Sequence, residues 1–151
     1  MKLTDLLPES QISANLTGKN KFQLIEELMN LLHESGKILN REIALKDVIA
    51  REGYLSTGLE NGLAIPHAKT DGVNQLAMSF GLNHEGVDFE SLDNKPDQLI
   101  FLVLSPRDTS GPHIRALAAI TKNLKDTKQR KNLLSAQSAE DIKTIFNNFE
   151  S

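Results

Sequence analysis

The chain has no cysteine among its 151 residues. That excludes disulfides, thiol nucleophiles and cysteine-ligated metal, and it fits a cytoplasmic setting. Long apolar runs are also missing. The longest, Leu99 to Leu104, has six residues, far short of the roughly 20 needed to span a bilayer. The opening MKLTDLLPES lacks the apolar core of a signal peptide. Charge of one sign is not in excess either. The formal net charge is -3, which does not mark a nucleic-acid binder. The basic cluster from Lys125 to Lys131 is interrupted by Asp126 and reads as a solvated helix face. The expectation is a soluble, cytoplasmic protein without nucleic-acid partners or membrane insertion.

What is present is ordinary globular composition, 25% charged and 39% hydrophobic, enough for one core in one domain spanning residues 1–151. In NKFQLIEELMNLLHESGK, Phe22, Ile25, Leu28, Met29 and Leu32 recur at helical spacing, and Gly36 sits where a helix ends. Asn40 is a good N-cap for a second helix with Ile43, Val48 and Ile49 turned inward, stopping near Arg51 to Gly53. LSTGLENG reads as a loop. Leu63-Ala64-Ile65 and Leu76 to Phe80 read as strands, Asn83 to Pro96 as turn-rich, and QLIFLVLSP as a strand covered on both faces. Gly111-Pro112 opens a helix carrying Ile114, Leu117, Ala118 and Ile120 on one face. Two short helices follow, the last starting at Ser138 with Asp141 helping to cap it. Alternating helices and apolar strands predict an α/β layered fold with a substantially parallel sheet, in which ligands sit beyond strand ends.

Four histidines are present. His33, inside a predicted helix, and His84, in a polar turn, read as surface imidazoles. His67 differs, because Pro66 ends regular strand pairing and fixes the place of the next side chain. The residues alone leave it open as a surface group, a metal ligand or a reactive group. His113 falls in the first turn of its helix, where the dipole favours an anion and disfavours imidazolium; the alternative is simple exposure. Arg51 closes the second helix with a fork suited to phosphate, or else bonds that helix's terminal carbonyls. His67 and His113 lie at neighbouring strand ends and could meet in one crevice if the strand order allows. Asp71 could orient a ring or simply form a turn. Other chemistries lack support: there is no P-loop ending after GLENG, no His-Glu-x-x-His metal spacing and no Gly-x-Ser-x-Gly elbow.

REGYLSTGLENGLAIPHAKTDGV, Arg51 to Val73, closely resembles the signature of type-2 enzyme IIA domains of the bacterial phosphoenolpyruvate-dependent phosphotransferase system. The likeness extends through GVDFESLDNKPDQLIFLVLSP and GPHIRALAAITKNL, nearly the whole chain. It implies a single domain with a mixed, largely parallel sheet flanked by helices. It implies that His67 is phosphorylated through Nε2 by the phosphohistidine of HPr, with His113 and Arg51 completing the site. Ser56, Thr57 and Asn61 match positions lining it. It implies no cofactor and no metal. The phosphoryl group would pass to a IIB domain for sugar uptake, the IPHAKTD stretch resembling the fructose-type branch, with association to a membrane permease complex. The alternative is the nitrogen-regulatory branch, in which phosphorylation controls binding to regulatory proteins. The absence of a fused IIB or IIC segment fits a free-standing regulator or a split transporter. One position departs: Glu60 stands where the family has glycine, and a carboxylate there must face solvent or a partner to avoid repelling phosphate.

Overall fold

A computed structural model describes residues 2–149. Strands β1 (Ile12–Ser13), β2 (Leu63–Ala64), β3 (His67–Lys69), β4 (Ala77–Val87) and β5 (Asp97–Ser105) form one sheet. Helices α1 (Lys21–Glu34), α2 (Arg41–Tyr54), α3 (Gly111–Leu124), α4 (Thr127–Ser135) and α5 (Ala139–Phe146) cover it. The order is β1-β4-β5-β2, with β3 also on β5. The pairs β1–β4, β2–β5 and β3–β5 are parallel, and the long β4–β5 pair is antiparallel. The sheet is therefore mixed, as expected. No described helix is long and apolar enough to cross a membrane.

The unbroken apolar run of β5 follows from helices on both sides. Successive strand side chains point to opposite faces. Leu99, Phe101 and Val103 join Phe80, Ile120, Leu133 and Phe146 in one cluster, while Ile100, Leu102 and Leu104 join Leu24, Leu28, Met29 and Val48 in the other. Both clusters are sealed, and their members on β5 are essentially inaccessible. Phe80, Phe101 and Phe146 pack at tilted and edge-on angles with ring centroids 4.5 to 5.9 Å apart, and each such side chain contributes about 1.5–3 kcal/mol by burial.

Helix ends obey local chemistry. The side chains of Asn20, Asn40 and Ser138 accept from the third residue on, Gln23, Ile43 and Asp141. The Asp141 carboxylate in turn takes the Gln137 N–H. Gly36, at φ 73°, closes α1 in a Schellman turn, with Lys37 N–H on the Leu32 carbonyl and Gly36 N–H on that of His33.

Several expectations shift. Helix α2 continues through Tyr54, past Arg51 to Gly53. Phe22, Ile43 and Ile114 are exposed rather than buried. In α3 the inward face is His113, Ala116, Ile120 and Leu124, one position round from the expected stripe, so Ala118 also faces out. Residues Asn83 to Val87, expected in turns, extend β4. Their polar groups are satisfied locally: Asn83 donates to the Leu16 and Gly18 carbonyls and accepts from Gly86 N–H.

Asp97 opens β5 fully buried. One carboxylate oxygen accepts from the Ser91 hydroxyl, and Oδ1 has no well-formed hydrogen bond among the described residues. Burial pushes its pKa up to about 6, partly offset by the Ser91 hydroxyl and the Phe89 backbone. An unfolded aspartate titrates near 4, so between about pH 4 and 6 the folded chain keeps a proton the unfolded chain has lost, and stability falls as pH rises through that window. Asp97→Asn should therefore gain on the order of 2 kcal/mol over the parent at pH 8 and nothing at pH 4, measured by urea unfolding. An equal difference at both pH values contradicts the assignment.

Candidate functional site

The stretch before His67 is a hairpin on the sheet edge. Thr57 carbonyl accepts from Ile65 N–H, Gly58 bridges Ala64, and Leu59 N–H bonds the Leu63 carbonyl. Its tip is Glu60 to Gly62, with Asn61 at φ 63°. Leu63 lies opposite Leu99 and His67 opposite Val103, so β2 and β3 share one register across the break at Ile65-Pro66. The expectation that proline interrupts pairing holds, but His67 opens a new strand segment rather than ending one. The ladder continues through Val103 N–H on the Pro66 carbonyl, 3.0 Å.

Strand alternation then selects the face. Leu63 and Ile65 point into the cluster under α3, so His67, two further on, points the same way. Ser105 follows Val103 by two and does likewise. Helix α3 delivers His113 to the same spot. The two imidazoles stand with ring centroids 5.4 Å apart, tilted 57°. The two histidines expected to meet do so, one from the start of β3 and the other from the first turn of α3.

His67 is half-buried, and its Nδ1 lies 2.7 Å from the Ile65 carbonyl oxygen. A carbonyl only accepts, so Nδ1 carries the proton and Nε2 keeps its lone pair. Burial holds the His67 pKa below 6.5; the Ile65 bond opposes this, the Arg51 charge adds to it and the Glu52 charge works against it. His113 is 8% exposed, far from the solvent-exposed alternative. Its Nδ1 is 2.9 Å from the Ser105 hydroxyl oxygen. Burial, then the charges of His67 and Lys69, lower its pKa as well. Both shifts favour the neutral rings near pH 7.

Arg51, in the last turn of α2, donates through Nη1 to the Leu55 carbonyl at 2.6 Å, which is the helix-terminal bond weighed from sequence. That uses one of its five N–H donors, and among the described residues no carboxylate pairs with it. Its charge nevertheless reaches His67. The adjacent Glu52 is 2% exposed. It accepts from the Thr57 amide at 3.0 Å and from the Thr57 hydroxyl, and sits 3.4 Å from the Lys21 ammonium.

The remaining expected residues divide. The Ser56 hydroxyl donates to the Phe89 carbonyl and accepts from Gly58 N–H, so Ser56 and Thr57 clasp the loop. Gly58 admits no side chain, since a Cβ there would collide with Ser91 Oγ and lie 2.9 Å from the Phe89 carbonyl oxygen. Asn61 is not brought to His67. It sits at the hairpin tip, its amide on Asp93, and the four steps of extended chain from Leu63 to His67 alone span about 13 Å. Glu60 shares that exposed tip and faces solvent, as its charge requires. His33 and His84 are exposed, His84 bonding the Ala14 carbonyl. Asp71 pairs with Arg107 at 3.4 Å in an exposed turn. A cavity of about 410 Å³ lined by Leu3, Leu6 and Arg115 includes neither ring. No group of three or more His, Asp or Glu among the described residues is arranged to hold a metal.

Sequence reasoning missed Glu52, Ser105 and the Ile65 carbonyl. Ser105 could have been found by extending the β5 alternation one step. Glu52 looks like any helix-surface acid, and only its five-residue spacing to Thr57 hints otherwise.

The chain matches, over residues 5–149, the family described as "Phosphoenolpyruvate-dependent sugar phosphotransferase system, EIIA 2". It is 37% identical to the fructose-specific EIIABC component of Bacillus subtilis across 97% of this chain and 23% of that longer protein. It is 34% identical to the fructose-specific EIIA component of Haloferax volcanii, over 96% of each. Among solved structures, the nitrogen regulatory protein IIA-Ntr of Neisseria meningitidis superposes with TM-score 0.83 at 32% identity, covering 95% of this chain and 98% of that one. The mannitol IIA–phosphorylated IIB complex of Escherichia coli shares the fold, with TM-score 0.81 at 19% identity, 94% of this chain and 99% of that one.

Two neutral rings make a checkable prediction. In an NMR pH titration, His67 and His113 should protonate with midpoints below the ordinary 6.5. Because the unfolded chain binds those protons first as pH falls, the contribution of the two histidines to stability should drop on the acid side of about pH 6.5, opposite in sign to that of Asp97. A His67 midpoint above that value contradicts burial as the dominant cause.

Proposed function

The chain belongs to the type-2 EIIA family of the phosphoenolpyruvate-dependent sugar phosphotransferase system, and from that premise we propose that His67 Nε2 is the atom that carries phosphate. The observation that supports this most is the bond from His67 Nδ1 to the Ile65 carbonyl, 2.7 Å. It leaves Nε2 as an unprotonated nucleophile on a fixed ring.

In the proposed step, a phosphohistidine on an HPr-type carrier is the donor. Its P–N bond breaks as a bond forms between phosphorus and His67 Nε2, and the electron pair of the broken bond returns to the donor nitrogen. The His67 ring becomes cationic, with Nδ1–H still on Ile65, and the negative charge of Glu52 favours that state. Such transfers pass through a loose, in-line arrangement, so positioning and charge stabilisation dominate. Arg51 has uncommitted N–H donors for the phosphoryl oxygens. The α3 N-terminus has no side-chain cap bond, which leaves its first-turn amides open to an anion. Ser56 and Thr57 act indirectly, by holding the loop beside Arg51, and we assign Asn61 to the hairpin rather than to phosphate.

The partners in this reading are proteins. Tyr54 and Leu55, following Arg51, and Ile114, following His113, are 88%, 64% and 62% exposed. Large apolar groups left bare around a reactive ring suit a protein surface better than a small substrate. We take the acceptor to be a IIB domain serving fructose-type uptake, in keeping with the Bacillus and Haloferax relatives. Residues 1–151 then act as one cytoplasmic unit, with access to a membrane permease complex. A second reading, favoured by the likeness to the Neisseria protein, is regulatory: the phosphorylation state of His67 sets binding to regulatory proteins.

Incubation with phosphoenolpyruvate, enzyme I and HPr should attach one acid-labile phosphoryl group, seen by intact mass, and His67→Ala should abolish it. A normal adduct in that variant sinks the assignment. Adding fructose-type IIB should discharge the wild-type adduct; retention with IIB favours the regulatory reading. Arg51→Ala should slow transfer on the order of 10²-fold while leaving His67 modifiable. Leu55→Ser combined with Ile114→Ser should raise the KM for phospho-HPr with little change in kcat, in steady-state assays, if the apolar rim docks the donor.

A further inference from the structure

We propose that Ser105 is a positioning residue: its hydroxyl donates to His113 Nδ1 and thereby places the His113 proton on Nε2, where it can be given to a phosphoryl oxygen carried by His67. This rests on the reading of His67 as phosphate carrier.

Both histidines are tied through Nδ1, but to partners of opposite character. The Ile65 carbonyl beside His67 can only accept. The Ser105 hydroxyl beside His113 can donate or accept, and the ring nitrogen roles depend on which. Satisfaction decides between them. Ser105 is fully buried, and His113 is the one hydrogen-bond partner of its hydroxyl among the described residues. If the hydroxyl accepted, its own hydrogen would be left without a partner in the interior, the costlier kind of unmet group. Donating to Nδ1 satisfies that hydrogen and leaves only lone pairs unused. A neutral ring that accepts at Nδ1 must carry its proton on Nε2.

Ser105 is also rigid. It ends β5 opposite Lys69 of β3, and its carbonyl takes the Thr70 N–H at 2.8 Å. Burial, then the charges of His67 and Lys69, lower the His113 pKa and so favour its neutral ring, the form in which a tautomer can be fixed. The two rings are then complementary through the same atom. His67 Nε2 offers a lone pair to phosphorus, and His113 Nε2 offers a hydrogen to the oxygens.

The test is ¹⁵N-detected NMR of the imidazoles in unphosphorylated protein at neutral pH. We expect His67 as the Nδ1–H tautomer and His113 as the Nε2–H tautomer. His113 found as Nδ1–H overturns the proposal without any variant. Ser105→Ala should give His113 a mixture of tautomers and slow transfer from phospho-HPr about tenfold, and Ser105→Thr, which keeps the hydroxyl, should restore both. A folded Ser105→Ala protein with parental tautomer and rate overturns it. Failure of wild-type His67 to take up phosphate removes the functional reading, whereas the tautomer measurement stands apart from it.

Discussion

One short hydrogen bond organises the site. The Ile65 carbonyl is available to the His67 ring because the ladder takes the Pro66 carbonyl instead, through Val103 N–H. Proline at that step, in an edge position, is compatible with the sheet because it has no N–H to offer the next strand. The register resumes at once, so the ring is held by a backbone bond, a rigid preceding residue and a paired strand together. Tautomer, orientation and face are all consequences of that arrangement.

Around it the charges oppose one another. Burial and Arg51 discourage a positive ring, while Glu52 and the Ile65 carbonyl encourage it. The role proposed for His67, neutral before taking up phosphate and cationic afterwards, is served by such opposition, because each state has groups that favour it. Glu52 has a second task. Its oxygens hold Thr57, and with it the loop that follows Arg51. One buried carboxylate thus links loop geometry to ring electrostatics, at the cost of a buried charge met by Lys21 and two hydrogen bonds.

Much of this could be read from sequence. Pro66-His67 carried its own physical signal, helix caps announced themselves through Asn40 and Ser138, and the apolar run of β5 declared two covered faces. The pairing of His67 with His113 depended on strand order, which no local pattern fixes. The outward turn of Phe22, Ile43 and Ile114 was illegible because periodicity gives the width of an apolar stripe but not its centre to within one residue. Asn83 to Val87 looked like turns by composition, since strand propensity there is overridden by side-chain bonds to the Leu16 and Gly18 carbonyls. Ser105 and Glu52 resembled ordinary serine and glutamate, and only their burial distinguishes them.

Strand β5 lies between the two hydrophobic clusters and belongs to both. Neither layer of helices can detach without exposing it, so the layers are obliged to melt together. The amides of this central strand should be the last to exchange with solvent, opening only with the whole molecule. Since β5 is the neighbour of β3 and ends in Ser105, the His67 ring leans on the slowest-breathing part of the chain, and its geometry should outlast the fraying of loops around it.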